Sequence, residues 1–198
     1  MDLPNAPVTY ALIVANVAAS LYALYVDRNF FSQFAFEVDA VVRRKQSHRV
    51  ITSSFLHGDL FHLFFNMLTL FFFGPTVEAI LGKLGFLVVY FGAIVASGVV
   101  TAIVQKRVPN YRSVGASDAV SGVLLSFCVF FPLEPIYIMF IPVGIPAILY
   151  GVLFMIISAR LMGNPGNRIA HEGHLGGALA GVALTLLMRP DALGQLFG

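Results

Sequence analysis

Few polar side chains interrupt the long apolar segments of this chain, and two of them are of the types that catalyse acyl transfer. Ser117 opens one apolar segment in the sequence Gly-Ala-Ser-Asp, where small neighbours leave its hydroxyl uncrowded. His174 lies far downstream, at the head of the last apolar segment. A Ser hydroxyl is a weak nucleophile until a base takes its proton, and His has a suitable pKa range. The pattern predicts that Ser117 and His174 meet inside a membrane and cut peptide bonds.

A second pair of polar side chains could stabilise the intermediate of that reaction. His62 and Asn66 are four residues apart, so on a helix both lie on one face. Both can donate hydrogen bonds toward one point, and a preorganised donor at a developing oxyanion contributes roughly 3–4 kcal/mol in comparable sites. No carboxylate is obviously placed to orient the His174 ring, since Glu172 points elsewhere on its helix. A Ser-His dyad is therefore predicted, without a third member.

Each of these residues also has a plainer interpretation. A lone Ser in a membrane helix usually bonds back to its own backbone, and a lone His near a helix end is usually an interfacial or packing residue. Paired His residues could bind a metal, but Zn²⁺ takes three or four ligands and no Cys or carboxylate is well placed for it. His57 and His171 are expected at the membrane interface, where each could bond to a loop backbone. The joint occurrence of these residues favours catalysis.

The composition of the chain indicates which kind of secondary-structure element carries these residues. The chain has 198 residues, of which 58% are hydrophobic and 11% charged, with a mean hydropathy of +0.85. Soluble domains have about 45–50% apolar and about 25% charged residues, so this is the composition of a membrane protein. The net charge of +2 is too small to indicate a nucleic-acid partner. The single cysteine, Cys128, excludes an intrachain disulfide.

The predicted fold class is an all-α membrane protein, with one domain over residues 1–198. A spanning helix needs roughly 20 mostly apolar residues. Six segments qualify, at about 8–26, 60–80, 84–104, 113–131, 145–159 and 169–188. The first lacks the flanks of a cleaved signal peptide, so a retained helix is expected. Residues 27–50 mix charges with aromatic rings, which indicates an interfacial segment between helices 1 and 2. Gly82 and Lys83 form a turn, and residues 136–144 are expected to be irregular.

From about Arg49 to Gly181 the sequence resembles the rhomboid family of intramembrane serine proteases. Gly115-Ala116-Ser117 resembles its nucleophile motif. His57, His62 and Asn66 resemble its His and Asn pattern on the second helix. His174, Gly177 and Gly181 resemble the base motif on the sixth helix. Gly74, Glu78 and Gly82 resemble a glycine-glutamate-glycine pattern whose members share one helix face. With Gly115, Gly177 and Gly181, these are expected to serve packing.

The resemblance implies a six-helix rhomboid-like bundle and a set of roles. Ser117 would be the nucleophile and His174 the general base. His62, Asn66 and the backbone N–H of Ser117 would form the oxyanion hole. The substrate would be a transmembrane segment of another protein, reached within the lipid bilayer. Neither a metal nor a soluble cofactor is implied.

Three features depart from the family's pattern. Asp118 stands where the family usually has Gly, and a carboxylate facing the site would oppose the oxyanion. Ser121 is small where some relatives carry an aromatic ring that packs on the base. The third departure is charge. Ten of the twelve basic residues lie on the face that bears Ser117, which the positive-inside rule places in the cytoplasm, whereas the family's active face is normally extracytoplasmic. These ten are Arg28, Arg43, Arg44, Lys45, Arg49, Lys106, Arg107, Arg112, Arg160 and Arg168.

Two other functions are compatible with the same bundle. A catalytically silent rhomboid-like protein would bind transmembrane helices, although silent relatives typically lose the Ser or the His and this chain keeps both. A small-solute carrier has less support, because there is no inverted repeat and no charged pathway. The small six-helix size favours a bacterial inner membrane as the location.

Overall fold

The computed structural model describes residues 4–138, 142–162 and 170–194, and within these ranges the chain is mainly helical. Residues 163–168 of the predicted fifth loop, with Arg168, and Ile169 at the predicted start of the sixth span lie outside the described residues. The helices are α1 Pro7–Tyr25, α2 Asn29–Phe34, α3 Val38–Val42, α4 His48–Thr52, α5 Leu60–Val104, α6 Ser117–Phe130, α7 Ala147–Leu161 and α8 His171–Met188. The strands are β1 Phe36–Glu37, β2 Arg112–Ser113, β3 Pro135–Tyr137 and β4 Gly144–Pro146.

Two of the described helices, α1 and α5, are long and apolar enough to cross a membrane, and α6 and α7 are shorter apolar helices. α5 is broken at Gly82, where the backbone has φ 71° and ψ 168°. A residue with a side chain rarely adopts that conformation, which explains why glycine occupies the break. The helix is thereby divided into a first arm, residues 60–81, and a second arm, residues 83–104. The break lies where the sequence predicts a turn.

The segment between α1 and α5 folds into short elements that reach across to the loop before α6. β1 pairs with β2 in an antiparallel ladder that sets Phe36 opposite Ser113. The Glu37 carboxylate adds ion pairs to Arg44, at 2.8 Å, and to Arg112, at 3.2 Å. Arg49, expected on a charged interfacial segment, is instead buried, and its guanidinium donates to backbone carbonyls of the same segment. The segment between α1 and α5 therefore stabilises the loop that precedes α6.

Two short strands occupy the described ends of residues 136–144, the stretch predicted to be irregular, and residues 139–141 lie outside the described residues. β3 and β4 are antiparallel, with Pro135 opposite Pro146 and Tyr137 opposite Gly144. Prolines in this region remove the N–H groups that a helix would need, whereas the edge of a two-stranded ladder tolerates them. Helix α7 then begins at Ala147, whose N–H donates to the carbonyl of Glu134 over 2.9 Å.

The first helix is attached to the core through its amino-terminal turn. The buried Glu78 carboxylate accepts hydrogen bonds from the N–H of Val8 at 3.1 Å and from the N–H and hydroxyl of Thr9 at 2.7 Å each. Gly74, one turn earlier on the first arm, lies so close to α1 that a Cβ there would come within 2.6 Å of the Thr9 methyl. Ala6, at the helix start, offers no side-chain cap, so Glu78 supplies the acceptor from another helix.

Helices α6 and α8 run parallel in a register fixed by three contacts. Gly177 abuts the carbonyl of Asp118, and Gly181 abuts the carbonyl of Gly122. One turn further, the Thr185 hydroxyl donates to Ser126 Oγ over 2.7 Å. Each contact advances four residues along both helices, so small residues bring the two backbones together over their length. Both helices therefore begin at the same end of the molecule.

Candidate active site

Three helices begin around one cavity, and the predicted catalytic residues lie in their first two turns. The cavity has a volume of about 550 Å³. It is bordered by the starts of α5, α6 and α8. Its walls include all four side chains proposed from the sequence, namely His62, Asn66, Ser117 and His174. Residues that are 57 positions apart along the chain, Ser117 and His174, are thus brought to one space by the parallel packing of α6 and α8.

The loop leading into α6 is held by two backbone hydrogen bonds. The N–H of Gly115 donates to the carbonyl of Ser53 over 3.1 Å. The N–H of Ala116 donates to Nε2 of His57 over 3.2 Å. Gly115 has φ 133°, and a Cβ at this position would overlap the His62 ring. Glycine is therefore needed here for backbone conformation and for the approach of His62.

His57 supports the loop before Ser117 from a buried position. The predicted bond to a loop backbone is present, but the side chain is fully buried and does not lie at the membrane interface. Because Nε2 accepts from Ala116, the proton lies on Nδ1, which donates to Ser20 Oγ over 2.9 Å, and that hydroxyl donates to the carbonyl of Phe55. Burial, reinforced by the nearby His62 ring, lowers the pKa of His57 to about 3. The imidazole of His57 is therefore neutral, and its two hydrogen bonds join the loop before α6 to α1.

Asn66 presents a donor that is not used within the described part of the protein. Its side chain is buried, and Nδ2 has no hydrogen-bond partner among the described residues. Buried polar groups are nearly always paired, so an unpaired amide in the wall of a cavity indicates a binding role. The neighbouring His62 ring stands edge to face with His57, with centroids 5.0 Å apart. Both predicted oxyanion donors thus border the same space as Ser117.

Ser117 and His174 line one cavity without a direct bond between them. The hydrogen bonds of the described residues do not include one from the Ser117 hydroxyl to the His174 ring. Catalytic hydrogen bonds are often long until substrate is bound. The His174 ring is stacked on Phe154, and the edge of His171 approaches it at 5.8 Å between centroids. Ser121 has no ring to pack on His174, and its hydroxyl donates to the carbonyl of Ser117 over 2.5 Å.

Asp118 is not in the walls of the cavity that contains the predicted oxyanion donors, His62 and Asn66. Its Oδ1 accepts from the N–H of Ala119 at 2.8 Å, and Oδ2 accepts from the Ser54 hydroxyl at 3.2 Å. The carboxylate borders a second, smaller space of about 30 Å³, together with Ser117 and His174. That is room for about one water molecule. The larger cavity does not include Asp118 in its walls.

A buried carboxylate holds the loop between α5 and α6 against the start of α8. Glu172 accepts from Gln105 Nε2 at 2.9 Å and from the Tyr111 hydroxyl at 2.5 Å. Burial, and then the adjacent Glu172, raise the pKa of Tyr111. Tyr111 also borders the 550 Å³ cavity, so this pair closes one side of the site. Within the described ranges no group of three or more His, Cys, Asp or Glu side chains could hold a metal ion.

Comparison with known proteins identifies the family. The Rhomboid domain matches residues 44–191. The presenilin-associated rhomboid-like protein, mitochondrial, of Rattus norvegicus is 33% identical over 137 residues, which cover 67% of this chain and 36% of that protein. RHOMBOID-like protein 12, mitochondrial, of Arabidopsis thaliana is 28% identical over 194 residues, covering 89% of this chain and 56% of that protein. A Bacillus subtilis protein whose name marks it as a candidate rhomboid protease is 39% identical over 74 residues, 37% of this chain and 36% of that protein.

These matches also bear on length and location. The chain spans about a third of the length of the rat relative. The rat and plant relatives are named as mitochondrial, so they give no support to the prediction of a bacterial inner membrane. The domain match covers most of the chain, and the mammalian relative exceeds 30% identity over two thirds of it. This chain therefore belongs to the membrane-integral rhomboid family.

Proposed function

We propose that this protein is an intramembrane serine endopeptidase that cleaves transmembrane segments of other membrane proteins. The single observation that carries the proposal is the 550 Å³ cavity whose walls contain Ser117, His174, His62 and Asn66. A hydroxyl, an imidazole and two side-chain donors around one space are the parts that acyl transfer requires. Membership of the rhomboid family supports the same reaction.

In the proposed mechanism, Ser117 and His174 form a dyad. Ser117 Oγ attacks the scissile carbonyl carbon while His174 takes the hydroxyl proton. The imidazolium then gives that proton to the leaving amine as the C–N bond breaks, which leaves an acyl ester on Ser117. A water molecule, deprotonated by His174, attacks the ester, and the Ser117 oxygen leaves with the proton. Ser117 and His174 return to their starting states after one peptide bond has been hydrolysed.

The oxyanion of each tetrahedral intermediate would be bound by His62, Asn66 and the N–H of Ser117. The first N–H groups of a helix have no partner within the helix, and Ser117 is the first residue of α6. Nδ2 of Asn66, which has no partner among the described residues, could donate to an oxyanion in the cavity. The positive ends of the α5, α6 and α8 dipoles meet around the same space, which favours developing negative charge there.

A substrate segment from the bilayer is supported by the surface beside the cavity. Phe65 borders the cavity and is also 46% exposed. Other exposed aromatic residues, Phe61 and Phe64, lie within one turn of it on the first arm of α5. The cavity is therefore bordered by apolar surface of the kind that lipid covers, and an apolar helix could reach Ser117 from that side.

We further propose that six helices cross the membrane within one domain: α1, the two arms of α5, α6, α7 and α8. α6 has only 14 residues, or roughly 21 Å at about 1.5 Å per residue, which is less than a membrane core of about 30 Å. Ser117, at its start, would then lie below the membrane surface, where the cavity supplies a route for water. No metal or soluble cofactor is required by this mechanism.

The proposal is tested by cleavage of a model transmembrane substrate in detergent. Wild type is compared with Ser117→Ala, His174→Ala and the control Ser32→Ala, an exposed serine of α2 outside the walls of the cavity. We expect cleavage by wild type and the control, and loss of more than about 10³-fold in the two dyad variants. A serine-directed fluorophosphonate probe should label wild type and leave Ser117→Ala unlabelled.

Absence of both cleavage and labelling in folded wild type would refute the protease. In that case the silent rhomboid-like protein, which binds transmembrane helices without cutting them, would be the better description. Co-purification of an intact transmembrane segment with wild type would then be the measurement that supports it.

A further inference from the structure

The imidazole of His174 is the end of a column of stacked rings that extends from α7. Phe154 lies nearly parallel to it, with ring centroids 5.9 Å apart and an interplanar angle of 21°. Tyr150, one turn earlier on α7, is stacked on Phe154 in turn, at 6.3 Å and 15°. Both aromatic residues are partly buried and face the interior. The column joins the candidate base to a helix that carries none of the other proposed catalytic groups.

No comparable support for His174 comes from α6. Ser121 stands one turn after Ser117, and its hydroxyl is bound to the Ser117 carbonyl. His171, on the same helix as His174, meets the imidazole with its edge, at an interplanar angle of 78°. Among the described residues, Phe154 is thus the ring that lies parallel to the imidazole plane. A stacked ring restricts rotation about the last side-chain torsion, which for His is otherwise broad.

We infer that Phe154 is a positioning residue that holds the His174 ring in the plane needed to accept the Ser117 proton. The catalytic part of this inference rests on the proposed function, whereas the stacking itself does not. An imidazole free to rotate would present Nε2 toward Ser117 for only part of the time. Because the ring comes from α7, the position of that helix sets the alignment of the base, although α7 supplies no group to the reaction.

The experiment compares Phe154→Leu, which fills the space without a ring, with Phe154→Tyr, which keeps the ring. The matched control is Leu153→Ala, the preceding residue on α7, whose side chain is 43% exposed. With the model transmembrane substrate, we expect Phe154→Leu to lower kcat about tenfold with little change in KM, because binding surfaces are unchanged while the base is misaligned. Phe154→Tyr and Leu153→Ala should stay within about twofold of wild type.

A second readout does not require any protease activity. In protein labelled with ¹³C-histidine, the His174 ring protons, assigned through His174→Gln, should show an upfield ring-current displacement in wild type. The displacement should persist in Phe154→Tyr and disappear in Phe154→Leu. Equal His174 shifts in wild type and Phe154→Leu would overturn the inference, as would an equal loss of kcat in the Leu and Tyr variants. Failure of the proposed function would instead leave every variant inactive while the displacement still followed the ring.

Discussion

The backbone N–H of Ala116 donates to Nε2 of His57 over 3.2 Å, so a buried imidazole holds the residue that precedes Ser117. The other ring nitrogen of His57 reaches Ser20 on α1. One side chain therefore connects the first helix to the loop that sets the proposed nucleophile in place. Loss of the His57 ring should therefore weaken both its contact with α1 and its contact with the loop before Ser117.

His57→Leu is expected to lower both stability and activity. The substitution removes the acceptor of the Ala116 N–H and the donor to Ser20 Oγ, at a cost of about 2–3 kcal/mol in the free energy of unfolding. We expect kcat/KM to fall about tenfold or more as the loop before Ser117 loosens. His57→Gln, which keeps an acceptor for Ala116, should lose less in both measurements. Equal stability and activity of the Leu and Gln variants would show that the Ala116 bond contributes nothing.

Acid should destabilise the protein through the same residue. The pKa of His57 is about 3 in the folded chain and about 6.5 when unfolded, so the unfolded state binds the proton more readily. The contribution of neutral His57 is complete above pH 6.5 and is lost as the pH falls toward 3. Between pH 7.5 and 5 we expect a loss of about 2 kcal/mol, measured as a falling melting temperature in detergent. The slope should be shallower in His57→Gln.

Gly115→Ala should impair catalysis more than stability. The added Cβ would overlap the His62 ring and would also be strained at φ 133°, so the loop or the ring must move. We expect kcat/KM with the model transmembrane substrate to fall about 100-fold. Gly58→Ala is the matched control, because Gly58 borders the same cavity and a Cβ there meets nothing within 4 Å. A similar loss in both variants would contradict the role given to His62.

Glu78→Gln should weaken the attachment of α1 while leaving the chemistry intact. The carboxylate accepts three hydrogen bonds at the first turn of α1, and an amide can replace only part of them. We expect a decrease of about 2 kcal/mol in the free energy of unfolding and a change in kcat of less than about threefold. Glu134→Gln, at an exposed carboxylate, serves as the control. An unchanged melting temperature for Glu78→Gln would argue against the capping role.

Asp118→Asn tests whether the departure from the family's glycine affects the oxyanion. The carboxylate binds Ser54 and the Ala119 N–H, outside the walls of the larger cavity. We therefore expect kcat/KM to stay within about threefold of wild type, because the charge does not border the cavity of the proposed oxyanion donors. A tenfold rise in the Asn variant would mean that the charge opposes the intermediate. Asp118→Gly should lose about 1 kcal/mol of stability, because both hydrogen bonds disappear.

The parts of the molecule that follow local patterns were predictable from the sequence. The apolar run beginning near Leu60 is observed as a helix starting at that residue, and Gly82 breaks it where a turn was predicted. The small residues around Ser117 and His174 predicted close helix packing, and α6 and α8 do approach through Gly177 and Gly181. Whether these helices form six membrane spans and a dyad remains a prediction.

The parts that depend on long-range registration were not predictable. β1 pairs with β2 across 75 positions from Glu37 to Arg112, and two-residue strands leave no periodic signal. The sequence allows a bond from His57 to a loop backbone, but no local pattern identifies its partner as the amide of Ala116 or predicts the burial of the ring. The ring of Phe154 could not be assigned to His174, because the rotation of α7 about its axis depends on contacts with α8 and not on its own apolar sequence.

The cap that Glu78 provides to α1 has a consequence for the order of biosynthesis. Val8 is made early, but its acceptor lies 70 positions later in the chain. Until the ribosome has delivered that residue, the first turn of α1 must satisfy its N–H groups with water or lipid headgroups. The hydrogen bonds between α1 and Glu78 can form only after the first arm of α5 has been synthesised. Synthesis of α1 and its docking on α5 are therefore separate events.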